Sequence, residues 1–450
     1  MHTLTITNTL TGQKEAFVPR DTTKPDIRMY VCGITPYDFA HIGHGRCYVV
    51  FDVLYRLLQN LGYTVTYCRN FTDIDDKLLA RAERELGDPL RYREVAEKYI
   101  LAYQEDMARL NCLTPPCEPR VTETIPEIIA FIDHLVKKGA AYSINGSVYF
   151  SLRAHKAYGK LSKRSLDEMQ AGARVDINDE KRDPMDFALW KHEEQGGFWD
   201  SPWGHGRPGW HIECSVMSKK HLGDVIDIHG GGMDLIFPHH ENEVAQSEAY
   251  HEHEYARYWV HNAFVRINQE KMSKSLGNFF TLRDVFQKYD PQVMRYMLLC
   301  HHYRAPLDFS FDDLDVAGKT YQRICKFFAQ YATETKPTCV DIQTDIIVAK
   351  MLDFLCDDLN TPGLLGVLFE SLGHLQQHPT SRWAVATFLK TVLGLTLEPL
   401  PEKELAITPE IQELITAREQ ARANRDWKKS DELRDQLSKL GYTVQDKKLG

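Results

Sequence analysis

Apolar and polar positions follow two different spacings along the chain, and together they predict an α/β protein. MYVCG (29–33) is a short continuous apolar run, typical of a buried strand. Residues 41–63 carry apolar side chains at helical spacing as far as Gly62, and TVTYCRNF (64–71) has the composition of a second strand. Strand, helix and strand within about 40 residues form one βαβ unit, which requires a parallel sheet.

The pattern changes along the chain, which predicts several domains. From about residue 90 to 200, charged amphipathic helices and a hairpin with a turn at Asn145-Gly146 interrupt the sheet, and sheet-like residues return at 224–232. Beyond about 316 the spacing is almost wholly helical. A chain of 450 residues is too long for a single hydrophobic core. We therefore divide it into a nucleotide-binding domain in two halves (1–115 and 201–315), an inserted domain (116–200), a helical bundle (316–405) and a last compact domain (406–450).

Composition narrows the class of protein. Hydrophobic residues make up 43% and charged residues 26% of the chain, the balance of an ordinary globular protein, and no apolar run approaches the roughly 18 residues that span a bilayer. The N-terminus has no signal-peptide pattern, and ten irregularly spaced cysteines favour reduced thiols in a cytoplasm. A net charge of −9 excludes coating of nucleic acid through a bulk positive field, although residues 411–450 carry nine Lys/Arg against seven Asp/Glu.

Two short motifs have the chemistry of a nucleotide site. His41-Ile42-Gly43-His44 opens the first predicted helix, where free amides and two imidazoles suit a phosphate and Gly43 lets a flat base approach the backbone. Lys271-Met272-Ser273-Lys274-Ser275 is a basic loop whose charge can offset that of a departing pyrophosphate. Taken singly, each motif is also consistent with a solvated surface segment.

Four residues far apart in the chain have the chemistry of zinc ligands: Cys32, Cys214, His239 and Glu243. His239 and Glu243 are four apart and therefore lie on one helix face. Taken singly, each is more often a buried thiol or a hydrogen-bonded histidine than a metal ligand, and no Cys-x-x-Cys anchors the set. Cys112 and Cys117, on either side of Pro115-Pro116, suggest a possible second metal pair.

The histidine motif at 41–44 and the lysine motif at 271–275 together resemble those of class I aminoacyl-tRNA synthetases. They lie some 230 residues apart, on either side of an insertion. Longer segments resemble the cysteinyl-tRNA synthetases within that class. They are NTLTGQKEAF, YVCGITPYDFAHIGHGR, RNFTDIDDK, GWHIECS, DIHGGGMDLIFPHHENEVAQSEA, KMSKSLGN, HYRAPLDFS, DDLNTP and DWKKSDELRDQL, and they extend over nearly the whole chain. This family usually has other residues at Cys112 and Cys117, so we interpret that pair as incidental.

The resemblance implies a split Rossmann-like domain with an insertion, followed by α-helical C-terminal domains. It implies one Zn²⁺ per chain held by Cys32, Cys214, His239 and Glu243. It further implies an ATP site at His41, Gly43, His44, Lys271 and Lys274, and a cysteine pocket at Thr72, Trp210, His229 and Asp234. Arg422, Trp427, Asp431 and Asp446 match positions that contact the anticodon, although Trp427 can equally be a core anchor of a helical hairpin.

The implied function is ATP-dependent activation of cysteine and its transfer to tRNA(Cys), with Mg²⁺ on the ATP phosphates and zinc selecting the substrate thiolate. We expect a cytoplasmic monomer without membrane contact. Two alternatives remain: a ligase that transfers cysteine to an amino sugar, which would lack the last domain, and an inactive RNA-binding paralogue, which would show decayed motifs.

Overall fold

The computed structural model describes residues 2–164, 181–194, 196–267, 270–271, 279–333, 342, 344–401 and 409–439. They belong to two compact units, residues 1–398 and 399–450, and each is described here by itself.

Thirteen strands lie within the described residues. They are β1 Thr5–Asn8, β2 Gln13–Ala16, β3 Asp26–Ile34, β4 Thr64–Phe71, β5 Ala141–Ile144, β6 Ser147–Phe150, β7 Phe187–His192, β8 Gly206–Pro208, β9 Ile226–Gly232, β10 Ala256–Asn262, β11 Val265–Ile267, β12 Glu270–Lys271 and β13 Leu307–Asp308.

Fourteen α-helices lie within the same residues. They are α1 Ile42–Asn60, α2 Asp76–Leu86, α3 Tyr92–Arg109, α4 Ile125–Lys137, α5 Trp210–Leu222, α6 Glu241–His251, α7 Leu282–Phe286, α8 Pro291–Leu299, α9 Phe311–Ala329, α10 Ile346–Cys356, α11 Thr361–Gln377, α12 Pro379–Thr391, α13 Pro409–Ala423 and α14 Trp427–Lys439. None of these described helices combines the length and the apolarity needed to cross a bilayer.

A four-stranded parallel sheet in the order β10-β9-β3-β4 forms the centre of the first unit. Its strands are largely buried on both faces, which explains why residues 29–33 of β3 form a continuous apolar run rather than an alternating one. From β3 the chain passes through α1 to β4 at one edge, whereas from β9 it passes through α6 to β10 at the other. The carboxyl ends of β3 and β9 therefore flank a topological switch point, where ligands bind in open α/β sheets.

The inserted region contains a separate antiparallel sheet in the order β5-β6-β7-β8. Its first hairpin turns at Asn145 and Gly146, whose φ angles of 47° and 83° are those that a tight hairpin turn requires. The predicted hairpin is confirmed, and so is the α/β class with a parallel sheet and a helical C-terminal part. The bounds of the five predicted segments remain predictions.

A buried charge network joins α1 to the helical part of the first unit. Asp52 and Arg56 pair within α1 at 2.8 Å, and Arg295 of α8 reaches the same Asp52 carboxylate while its Nε donates to Leu393 O at 2.7 Å. Arg295 is fully buried, so loss of Asp52 would leave an unpaired charge in the interior. This network fixes the helix that begins at the predicted phosphate motif.

Candidate functional site

The four predicted zinc ligands meet at the carboxyl edge of the central sheet. Cys32 lies near the end of β3, Cys214 in α5, His239 in the helical turn before α6, and Glu243 in the first turn of α6. Their ligand atoms all lie within 4.8 Å of one another, and all four residues are buried. The Sγ atoms of Cys32 and Cys214 are 3.6 Å apart, Cys32 Sγ lies 3.4 Å from Glu243 Oε1, and that oxygen lies 3.1 Å from His239 Nε2.

Strands β3 and β4 approach each other closely beside Cys32. Gly33 follows it, and a Cβ there would come within 1.5 Å of Asn70 O on β4. The Gly33 amide instead donates to Asn70 Oδ1 at 2.9 Å, and the same oxygen lies 3.7 Å from Cys214 Sγ. Only glycine permits this close approach of the two strands.

Two further histidines surround the cluster. His229, predicted in the cysteine pocket, lies in β9 with no exposed surface, and its Nε2 lies 2.8 Å from Glu243 Oε2. It stacks on Trp259 at 4.4 Å between ring centroids. His240, which the sequence did not single out, places Nε2 at 3.2 Å from Cys32 Sγ and Nδ1 at 2.8 Å from His261. Sequence reasoning missed His240 because His239 alone matched the predicted ligand set, and only the local turn brings both histidines to the cluster.

The cluster concentrates negative charge in a buried place. Burial opposes ionisation of Cys214, but the hydrogen bond from Cys32 and the hydrogen bond and charge of His239 together outweigh it, and the pKa of Cys214 falls to about 6. Burial likewise opposes ionisation of Glu243, yet His229 and His239 hold the pKa of its carboxyl well below the usual range. For Cys32, burial and the adjacent Cys214 raise the thiol pKa well above the usual range. An acidified thiol and a carboxylate thus lie side by side in the buried cluster.

This donor set fits zinc. Ligand atoms on a tetrahedron around Zn²⁺ are separated by about 3.3–3.8 Å, since the metal–ligand distances are about 2.0–2.3 Å. The separations of 3.6, 3.4 and 3.1 Å within the cluster are close to that range. Cys32, His229, His240 and Glu243 form a second, overlapping set, but it holds one sulfur instead of two. Because thiolates select zinc over harder cations, we favour the set that contains Cys214.

The other predicted pocket residues border this cluster. Trp210 begins α5, stacks on His239 at 4.3 Å and leaves 39% of its surface exposed. Thr72 is buried just beyond the end of β4, where its Oγ1 donates to Glu213 Oε2 at 2.8 Å. Asp234 lies in a short 3₁₀ turn directly after β9 and is exposed. An exposed indole thus stacks on one of the buried ligands, and an exposed carboxylate lies just beyond the end of β9.

The predicted phosphate motif occupies the first turn of α1. His41 is the N-cap of the helix, and the side chains of His41 and His44 each accept a hydrogen bond of 3.3 Å from the backbone amide of the other. Their rings stack with centroids 3.6 Å apart. Gly43 lies between them in the same turn. This arrangement presents two imidazoles at the positive end of a 19-residue helix.

The segment that follows the second motif lies beside His41. Ile42 N donates to Phe280 O at 3.3 Å and Leu282 N donates to Ala40 O at 2.8 Å, so the strand-like segment that follows the lysine motif pairs beside His41. Lys271 is the last residue of β12. Its side chain, and the whole of Lys274, lie outside the described residues.

Comparisons with known proteins agree with this geometry. Residues 19–319 match the family model for the tRNA synthetases class I (C) catalytic domain, and residues 406–450 match the Cysteinyl-tRNA ligase anticodon binding domain. The Cysteine–tRNA ligase of Trichlorobacter lovleyi is 46% identical, with 96% of each chain covered. That of Caldicellulosiruptor saccharolyticus is 46% identical over 98% of this chain and 97% of its own.

This chain belongs to the cysteinyl-tRNA synthetase family.

Solved structures of other synthetases share the family fold. The chain superimposes on Mycobacterium tuberculosis methionyl-tRNA synthetase in complex with methionyl-adenylate with a TM-score of 0.57, 15% identity, and coverage of 82% of this chain and 88% of that one. The Agrobacterium radiobacter K84 LeuRS, solved as a ternary complex with tRNA, gives a TM-score of 0.59 at 12% identity, covering 85% and 88%. At these identities the likeness shows the fold alone, that of a class I catalytic domain with helical additions.

The second unit of this family member contains a helical hairpin of α13 and α14. Trp427 begins α14 with 55% of its surface exposed, which does not fit the alternative of a core anchor. Asp431 is one turn further along the same face, and Arg422 is half-buried near the end of α13. Asp446 lies outside the described residues. The described anticodon candidates thus lie around the hairpin turn or on the adjoining face of α14.

Cys112 and Cys117 do not form a pair. The Sγ of Cys112 accepts from Arg295 Nη1 at 3.6 Å, whereas the Sγ of Cys117 lies 3.4 Å from that of Cys68. Because the two thiols contact different partners, the interpretation of Cys112 and Cys117 as incidental agrees with the structure.

Proposed function

We propose that this chain activates cysteine with ATP and transfers it to tRNA(Cys), and that a zinc ion held by Cys32, Cys214, His239 and Glu243 selects the amino acid. One observation carries the proposal. Two thiols, an imidazole and a carboxylate converge at the switch point of the sheet in a chain of this family, at the end of the strand that leads to the His41 turn.

The activation step needs positioning and charge, and the residues beside α1 supply both. ATP lies with its phosphates at the helix N-terminus, where the positive end of the helix dipole attracts them and the imidazoles of His41 and His44 donate hydrogen bonds. A cysteine carboxylate oxygen attacks the α-phosphorus, and the bond to pyrophosphate breaks. Lys271 and Lys274 offset the charge on the departing pyrophosphate together with Mg²⁺. No covalent enzyme intermediate is required.

The cysteine pocket follows from what borders the cluster. Asp234 holds the substrate ammonium, and the indole of Trp210 closes one wall. Thr72 orients the pocket floor through Glu213. When bound, zinc supplies a soft Lewis-acid position that prefers a deprotonated sulfur to a hydroxyl oxygen.

His229 acts through Glu243 rather than on the amino acid. Its ring has no exposed surface, and its Nε2 fixes the outer oxygen of the Glu243 carboxylate at 2.8 Å. Hydrogen-bonded partners of this kind orient metal ligands and raise metal affinity. We therefore place His229 behind the metal ligands as a positioning residue.

The second step transfers the cysteinyl group to RNA. A terminal ribose hydroxyl of the tRNA attacks the carbonyl carbon of the adenylate and AMP leaves. Trp427 offers an exposed ring for a splayed anticodon base, and Arg422, Asp431 and Asp446 offer charge to its edges. We propose that the enzyme works as a cytoplasmic monomer.

The two alternatives are less well supported. Transfer to an amino sugar leaves the anticodon-binding match at 406–450 without a role. An inactive paralogue leaves unexplained a complete set of four buried candidate ligands and an intact histidine turn.

Amino-acid-dependent exchange of pyrophosphate into ATP tests the proposal. We expect exchange with cysteine alone among the twenty amino acids, and esterification of cysteine to tRNA(Cys) but not to an amino-sugar acceptor. Exchange with another amino acid, or cysteine transfer to the amino sugar only, would overturn it.

A further inference from the structure

Two thiols outside the metal cluster lie in contact. Cys68 is buried in β4, and Cys117 is half-buried in an edge segment, residues 117–120, that pairs in parallel with that strand. Arg69 N donates to Cys117 O at 2.9 Å, which fixes the segment against the sheet. The two Sγ atoms are 3.4 Å apart.

The backbone already has the spacing of a disulfide. Cys68 and Cys117 are direct partners in the ladder, and neighbouring strands lie about 4.7–4.9 Å apart, inside the Cα range of about 4.4–6.8 Å that disulfides occupy. The sulfurs need to approach by about 1.4 Å to reach the bond length of about 2.05 Å. Side-chain rotation can supply most of that movement without moving the sheet.

The two thiols differ in access and in acidity. Cys117 is partly open to solvent, and a hydrogen bond from Cys68 lowers the pKa of its thiol. That same hydrogen bond, together with burial, raises the pKa of Cys68. Thiolates are the nucleophiles in sulfur chemistry, so Cys117 reacts first and Cys68 second.

We propose that Cys68 and Cys117 are a redox-active dithiol that a hydroperoxide converts reversibly to a disulfide. The Cys117 thiolate attacks one peroxide oxygen, the O–O bond breaks, and hydroxide leaves with a sulfenic acid on Cys117. Cys68 Sγ then attacks that sulfur, the S–S bond forms, and the departing hydroxide takes the Cys68 proton. Two thiols and one hydrogen peroxide give one disulfide and two waters. A dithiol reductant reverses the reaction.

Non-reducing peptide mapping tests the proposal. Zinc-loaded protein is treated briefly with hydrogen peroxide at a small molar excess and is then alkylated and digested. We expect loss of two free thiols per chain, a linked peptide pair containing Cys68 and Cys117, and recovery of both thiols with dithiothreitol. Cys117→Ser should abolish the linked pair and leave Cys68 alkylated. Cys112→Ser, a change in a neighbouring thiol without this contact, should leave the linked pair intact.

Three results would overturn the proposal. One is accumulation of Cys117 sulfinic acid with Cys68 still free, which would mean that the second thiol does not resolve the first. Another is an unchanged amount of Cys68 disulfide in Cys117→Ser. The last is preferential linkage of Cys32 to Cys214, whose sulfurs are 3.6 Å apart, in protein that retains one zinc per chain.

Discussion

Replacement of His229 with phenylalanine isolates the hydrogen bond that holds Glu243. The change keeps a flat ring against Trp259, whose centroid is 4.4 Å away, and removes the 2.8 Å contact to Glu243 Oε2. One hydrogen bond then remains at that oxygen, from Tyr255 at 3.3 Å. Glu243 stays in the first turn of α6, but its carboxylate loses the partner that orients it.

The expected cost follows from the role of such partners. Removing a group that orients a metal ligand weakens metal affinity by about 10–100-fold, which corresponds to about 1.4–2.7 kcal/mol. We expect zinc affinity of His229→Phe to fall within this range, with a parallel rise in the KM for cysteine and a smaller change in the KM for ATP. Competition against a chromophoric zinc chelator measures the first quantity, and pyrophosphate exchange measures the others.

A matched control removes a partly buried histidine elsewhere. His155 lies 3.8 Å from Glu248, outside the cluster, and His155→Phe should leave zinc affinity unchanged. Circular dichroism and urea unfolding of the zinc-loaded proteins check that both variants fold. Zinc affinity of His229→Phe within twofold of the parent, in a folded protein, would refute the assigned positioning role.

Two further substitutions separate activation from RNA recognition. Lys274→Ala should lower the rate of cysteine activation by roughly 10²–10³ with little change in cysteine binding, because this charge acts on the departing pyrophosphate; single-turnover adenylate formation within threefold of the parent would contradict it. Trp427→Ala should weaken aminoacylation of tRNA(Cys) by about 1–3 kcal/mol if a base stacks on the indole. Equal losses of Trp427→Ala in aminoacylation and in pyrophosphate exchange would instead show a structural role.

The central βαβ unit was predictable because its information is local. Residues 29–33 of β3 form a continuous apolar run where both sheet faces are buried, and β4 has the composition of a strand. The apolar residues of α1 recur at helical spacing. The hairpin turn at Asn145-Gly146 was predictable for the same reason, since its positive φ angles depend on those two residues. Pattern and turn chemistry therefore sufficed for these elements.

The metal cluster was not predictable from spacing. Its ligands come from a strand, a helix and a turn, and 182 residues separate Cys32 from Cys214. Only the family resemblance grouped them. The inward turn of His240 and the contact between Cys68 and Cys117 depend on tertiary packing alone, and no motif in the sequence marks either.

Selectivity for cysteine over serine, with and without zinc, tests the central claim most directly. The two amino acids are close in shape, and pocket shape alone separates near-isosteres by only about 10²-fold. We expect the ratio of kcat/KM values in pyrophosphate exchange to be about 10⁴ or more in zinc-loaded protein. We expect it to fall to about 10² or less after metal removal or in Cys214→Ser, and to return when zinc is restored to the parent protein. Undiminished selectivity in a metal-free, folded preparation would contradict the account.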